Sequence, residues 1–258
     1  MRRAGAVALN TFREAVRDRV LYNLVFFALL MMAAAIFVGQ ISIGIEEMVI
    51  KSLGLTAISV IGLLIAVFIG VGLVYKEMDK RTLYALLAKP VRRWEFLLGK
   101  FAGLALTLAV NTLAMAAGLF LVLLYVKHHL ERADAVLFVA IYFILLKLML
   151  VVALALLFSC FSTPLLAILY TSAFYVVGLF VLEIRTFGIT LTSPAITVFT
   201  RGLSYLLPNF ENFNVMAAAA HGRTVPGTLI AQNTGYAILY SAVVLLIATA
   251  VFSRRNLK

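Results

Sequence analysis

The chain has 258 residues, of which 64% are hydrophobic and 13% charged, with a formal net charge of +11 and a mean hydropathy of +1.08. A soluble domain carries roughly 45–50% apolar and about 25% charged residues, and at this size it still needs polar surface over its core, so a soluble globular protein is excluded. The 22 basic residues sit in clusters between apolar runs, which excludes a dedicated nucleic-acid surface and fits membrane topology and anionic head groups instead.

Residues 1–20 read as an amphipathic helix. Ala6, Leu9, Phe12, Ala15 and Val16 recur at three- and four-residue steps, while Arg13, Arg17 and Arg19 point elsewhere. A basic amphipathic helix leading into a span is expected to lie along the inner membrane surface; the plainer alternative is a solvated basic tail. A cleaved signal peptide is disfavoured, because Glu14 and Asp18 precede the first apolar run in a segment too long for a signal n-region.

Uncharged runs of about 18 or more residues read as membrane spans. No charge interrupts 20–45, 52–75 or 101–126, which places helices at 21–39, 53–75 and 101–126. Between 135 and 182 the only charge is Lys147. At about 1.5 Å per residue that stretch is roughly twice the ~30 Å hydrocarbon thickness. It is therefore two helices, 135–158 and 164–182, broken at the run from Ser159 to Pro164. A last span, 229–252, follows Pro226-Gly227. The expected fold is an all-α polytopic membrane protein, one domain over 1–258, with six transmembrane helices.

With the N-terminus inside, the inner segments hold fifteen Lys and Arg and the outer ones six. The positive-inside rule then puts both termini in the cytoplasm, and an even span count requires them to share a side. The lone Cys160 cannot form an intramolecular disulfide and reads as a small packing residue, and no Cys/His spacing suggests a metal site.

The inner loop, 76–100, holds ten charged residues. Leu83, Leu86 and Leu87 nevertheless make a short apolar helical face, closed by Pro90, and Trp94 and Phe96 mark a return to the interface. Such a face lies either on lipid or under a cytoplasmic partner.

The residues of this loop resemble the membrane subunit of type-2 ABC exporters. In those permeases the loop between the second and third spans reads Glu, Gly-Thr-Leu, a leucine pair, Pro-Val-Ser-Arg and Leu-Gly-Lys. Glu77, Thr82-Leu83, Leu86-Leu87, Pro90-Val91, Arg93 and Leu98-Gly99-Lys100 fall on that pattern in order. Arg81 stands where glycine is usual and Arg92 where serine is common. Asn10-Thr11-Phe12-Arg13-Glu14 and the run from Leu207 to Phe213 are similar to the branch of the permease for nitrous oxide reductase maturation.

The resemblance implies a second permease copy, as a homodimer, and a cytoplasmic P-loop ATPase that binds ATP and Mg. It makes the helix around 82–89 the coupling helix, with Glu77, Thr82, Leu83, Leu86, Leu87, Pro90, Val91, Arg93 and Lys100 as the ATPase-coupling residues. The chain has no Gly-x-x-x-x-Gly-Lys-Ser/Thr run of its own, so it is expected to bind no cofactor and to catalyse nothing itself. Gly62, Gly70 and Gly72 are the small residues that would permit close contact with the second copy.

Two further features are candidate sites. Lys147 lies deep in the fourth span, where an ionisable residue is a functional candidate by default; it faces a cavity, snorkels, or pairs with a backbone carbonyl. In the outer loop, 183–228, Ile196, Phe199, Leu203, Leu206 and Leu207 share one helical face, an interfacial or re-entrant helix ended by Pro208. The resemblance makes this an outer gate, with Phe199, Leu203, Pro208 and Phe210 as its residues; a structural lid is the alternative. An intramembrane enzyme would need paired acids, a His cluster or an activated nucleophile at depth, and the spans lack them. An ion-gradient-driven secondary transporter would show embedded acids and matched, interrupted helices.

Overall fold

A backbone in hydrocarbon has no water to bond to, and an α-helix meets that demand within one segment. The computed structural model describes residues 2–41, 44–79, 92–129, 131–190 and 194–254. All regular structure among them is helical. Helix α1 spans Arg2–Val16, α2 Arg19–Ile41, α3 Glu46–Asp79 and α4 Arg93–Lys127. After a 3-10 turn at Arg132–Ala135 come α5 (Val136–Ser159), α6 (Pro164–Leu179), α7 (Val181–Thr190) and α8 (Pro194–Leu206). A second 3-10 turn at Glu211–Phe213 precedes α9 (Met216–Ala220) and α10 (Gly227–Arg254).

Four helical stretches are long and apolar enough to cross a membrane: Glu46–Leu73, Arg93–Lys127, Ala133–Ser159 and Gly227–Ser253. Leu24–Gly39 and Pro164–Leu179 are apolar but shorter. Helix α5 is the hub, packing against α3, α4, α6, α9 and α10. From Leu150 to Leu156 seven consecutive residues are buried, so neighbours cover it on every side. A helix that is apolar all round has no reason to keep one face free.

The bundle has two ends. The near end gathers α1, the start of α4, the junction of α5 with α6, and the end of α10, where Phe96, Leu97, Cys160, Ala248 and Phe252 form a small apolar cluster. The far end holds the turns between α2 and α3 and between α4 and α5, with α9 and the start of α10. Helix α1 lies against α4 rather than only on a membrane surface. Gly99 and Gly103 make this possible, since a Cβ on Gly103 would sit 2.5 Å from the carbonyl oxygen of Ala8 and 2.6 Å from Cβ of Thr11.

Several boundaries differ from the hydropathy reading. Helix α3 starts at Glu46, ahead of the expected 53, and α4 starts at Arg93, ahead of 101. Charges end an uncharged run in a sequence, but they need not end a helix if partners neutralise them. The stretch expected as one span over 164–182 is instead α6, a break at Phe180 and then α7. Gly62 and Gly70 face α5 inside the chain: an added Cβ would meet Leu148 at 2.5 Å and Ala155 at 3.4 Å respectively. Their small size serves the α3–α5 contact within the chain, whereas a Cβ on Gly72 would meet nothing within 4 Å.

Candidate functional site

The near end holds the described part of the predicted coupling segment. Glu77 is in the last turns of α3, with its side chain outside the described residues. Thr82, Leu83, Leu86, Leu87, Pro90 and Val91 also lie outside them. Helix α4 begins just beyond, with the Arg92 N–H donating to Glu95 Oε2 at 3.0 Å, so a carboxylate meets one of the open N–H groups of the first turn.

Arg93 ties this start to the last helix. Its guanidinium donates to the carbonyl oxygens of Phe252, at 3.0 Å, and of Ser253, and lies 5.9 Å from the centre of the Phe252 ring. A cation on terminal carbonyls both satisfies them and opposes the helix dipole. Phe96 stacks on Phe252 beside it, with ring centres 6.0 Å apart. Lys100 is fully buried, its ammonium 5.9 Å from the centre of the Phe96 ring. Arg93 thus joins the start of α4 to the end of α10, and Lys100 is buried beside Phe96.

At the far end an ion-pair network explains why α3 can begin at Glu46, through charged residues. Lys51 Nζ is 2.6 Å from Asp134 Oδ1 and 3.4 Å from Glu47 Oε2; Lys127 Nζ is 2.8 Å from Glu47 Oε2 and 3.5 Å from Asp134 Oδ2. The side chains of Lys51, Lys127 and Asp134 are buried. Paired and bonded, such charges are tolerated where isolated ones are not. A polar cavity of about 590 Å³ opens beside them, lined by Glu46, Glu47, Lys51, Glu131 and His221 among others.

Between α8 and α9 the chain turns back into the bundle. Pro208 and Phe210 are buried and Leu203 is half-buried, whereas the side chain of Phe199 lies outside the described residues. Leu206, expected on the same apolar face, is exposed and Leu207 is buried. The Phe210 N–H donates to the Gly178 carbonyl oxygen at 3.0 Å, and Gly178 has no room for a side chain, with the Pro208 carbonyl oxygen 2.5 Å and the Phe210 ring 2.6 Å from a Cβ built there. Helix α10 holds the other side. The Asn209 N–H donates to Tyr236 Oη at 3.0 Å, Asn233 Nδ2 donates to the Asn212 carbonyl at 2.7 Å, and Tyr240 Oη donates to the Leu206 carbonyl at 2.9 Å. Of the four candidate gate residues, Pro208 and Phe210 are thus set in a clasp between α6 and α10. The clasp residues Gly178, Asn233, Tyr236 and Tyr240 escaped the sequence reading. Asn233, Tyr236 and Tyr240, polar groups at three- and four-residue steps along one face of the last span, were the available signal.

Lys147 sits beneath this clasp. Its ammonium donates to Ser59 Oγ on α3 at 2.7 Å and lies 5.9 Å from the centre of the Tyr175 ring, which itself packs on Phe210 with centres 5.1 Å apart. Neither snorkelling nor a carbonyl partner describes this arrangement: the partner is a hydroxyl on a neighbouring helix. Lys147 does not line the polar cavity. Among the described residues no group of three or more His, Cys, Asp or Glu could hold a metal ion.

No curated protein matches the chain. The family model of the ABC-2 family transporter protein matches residues 5–257, nearly the whole of an all-helical chain with several membrane-crossing helices, and the chain belongs to that family.

Proposed function

We propose that this permease subunit works as an exporter, driven by a separate cytoplasmic P-loop ATPase that binds the loop between α3 and α4. Family membership is the observation that carries the reading. Three features support the coupling part. The loop has an apolar face of Leu83, Leu86 and Leu87 amid charges; its two ends continue directly into long helices; and Arg93 fastens one of them to α10. Force on such a loop moves rigid elements, which coupling between distant sites requires. The near end is then cytoplasmic. Thr82, Leu86, Leu87, Pro90 and Val91 seat in the ATPase, with Glu77 and Lys100 at the shoulders of the loop.

On the same reading ATP and Mg bind the partner alone, a second copy completes the permease in the cell membrane, and the clasped segment with Leu203, Pro208 and Phe210 gates the outer exit, Phe199 included. Lys147 supports that gate from below. The alternative is an ion-gradient-driven transporter.

A detergent pull-down of the tagged chain from its native membranes, with Leu83→Asp and Leu86→Asp in parallel, tests the proposal. A P-loop ATPase is expected with the parent and not with the variants. A folded, monodisperse parent that recovers no ATPase and supports gradient-driven, ATP-independent uptake would sink it.

A further inference from the structure

Helices α4 and α10 are fastened at the near end by Arg93 and the Phe96–Phe252 stack. Farther along the span a groove of about 520 Å³ lies between them, with Leu146 and Met149 of α5 among its lining. Leu98 and Phe101 line one side, Ala242 is on the other, and Trp94 is at the near-end mouth. Thr249, one of its few polar residues, has its hydroxyl committed to the Leu245 carbonyl oxygen of its own helix at 2.8 Å. Ser241 is the other hydroxyl in its lining; the groove is otherwise apolar and lies at hydrocarbon depth. Its size is in the roughly 300–1,000 Å³ range of ligand sites. A void there would forfeit dispersion contacts on every wall, and a polar ligand would find little to bond beyond Ser241.

The mouth has a different character. Trp94 is the only tryptophan of the chain and is 42% exposed, a placement suited to the membrane interface. Arg92, immediately before α4, is exposed. The nearby acid, Glu95, is buried and already accepts the Arg92 N–H. An apolar trough with an exposed arginine two residues from the tryptophan at its mouth matches an amphiphile with an anionic head.

We propose that this groove is a binding site for an anionic phospholipid, with one acyl chain against Leu98, Phe101 and Met149 and the head-group phosphate at Arg92. The site requires only that the chain spans a bilayer, so it stands apart from the coupling proposal. A bound lipid there would brace α4 against α10, the two helices that Arg93 joins.

The lone tryptophan gives a direct readout. The purified full-length chain would be reconstituted in vesicles containing a small share of either phosphatidylglycerol or phosphatidylcholine with brominated chains, and Trp94 fluorescence recorded, with Trp94→Phe supplying the background. Brominated phosphatidylglycerol is expected to quench Trp94 several-fold more than brominated phosphatidylcholine at the same share. Arg92→Gln should abolish that difference, and Ala242→Phe, which fills the groove, should reduce quenching by both to what the bulk lipid produces. Equal quenching by the two lipids in the parent would overturn the head-group assignment. Unchanged excess quenching in Ala242→Phe would overturn the groove. A tryptophan shielded from both lipids would instead identify a protein helix as the occupant and overturn the proposal. Arg92 is a surface residue, so its variant keeps the test open if Ala242→Phe does not fold.

Discussion

The ammonium of Lys147 donates to Ser59 Oγ at 2.7 Å, and the two side chains differ in what their removal leaves behind. Ser59→Ala strips a buried cation of this partner and offers it nothing in exchange, which costs about 1–3 kcal/mol or more for a charged group. Lys147→Met removes the charge itself, keeps most of the volume, and leaves only a hydroxyl that can turn to its own helix. Replacing a buried charge by an apolar side chain of similar size is often neutral or stabilising. Thermal unfolding in detergent should therefore rank Ser59→Ala clearly below the parent and Lys147→Met close to it or above. The reverse order would show that the lysine stabilises the bundle by itself. The depth of Lys147 was legible in the sequence because one charge stood in a long apolar run. Its partner was not, because Ser59 lies 88 positions away and one serine in a span carries no mark of its contact.

At the scale of elements, hydropathy located the apolar helices well where a span is a simple crossing and less well at either end of the bundle. The reading began α3 and α4 after their charges; the pairing of Lys51 and Lys127 with Glu47 and Asp134 shows why α3 starts earlier, and the bonds of Glu95 and Arg93 show why α4 does. The break at Phe180 left no proline or glycine signal at that residue; the tether from Phe210 to Gly178 is a long-range feature that no local window contains. The clasp makes its own prediction. Three side-chain hydrogen bonds from α10 hold the chain between Leu206 and Asn212, each worth about 0.5–1.5 kcal/mol net. Asn233→Ala with Tyr236→Phe removes two of them, and Tyr236→Phe also leaves the Asn209 N–H without its acceptor. Hydrogen exchange at residues 207–213 should quicken by roughly one to two orders of magnitude, at about 1.4 kcal/mol per tenfold, while exchange in the centre of α5 stays unchanged. Equal acceleration in both places would mean that the clasp is part of the global fold and not a separately opening element.

For the whole molecule, the arrangement follows from one sequence property. The most uniformly apolar helix, α5, takes the centre, and helices with a more mixed surface surround it, their outward apolar side chains left for lipid or a second copy. Charge then orients the bundle. The basic residues crowd at the end where α1, the start of α4 and the end of α10 meet, and long apolar spans bar their passage across the bilayer once inserted. Arg92 marks that near end and His221, exposed after α9, marks the far one. Cys160 is the sole cysteine and is buried, so a Cys160→Ala background supplies a silent chain for site-directed labelling. In that background His221→Cys should react with a membrane-impermeant maleimide in intact cells, and Arg92→Cys should react only after the membrane is permeabilised. The near end would then be cytoplasmic, within reach of an ATPase. Labelling of Arg92→Cys but not of His221→Cys in intact cells would invert the molecule, put the α3–α4 loop on the wrong side for any cytoplasmic ATPase, and end the coupling proposal without disturbing the lipid site.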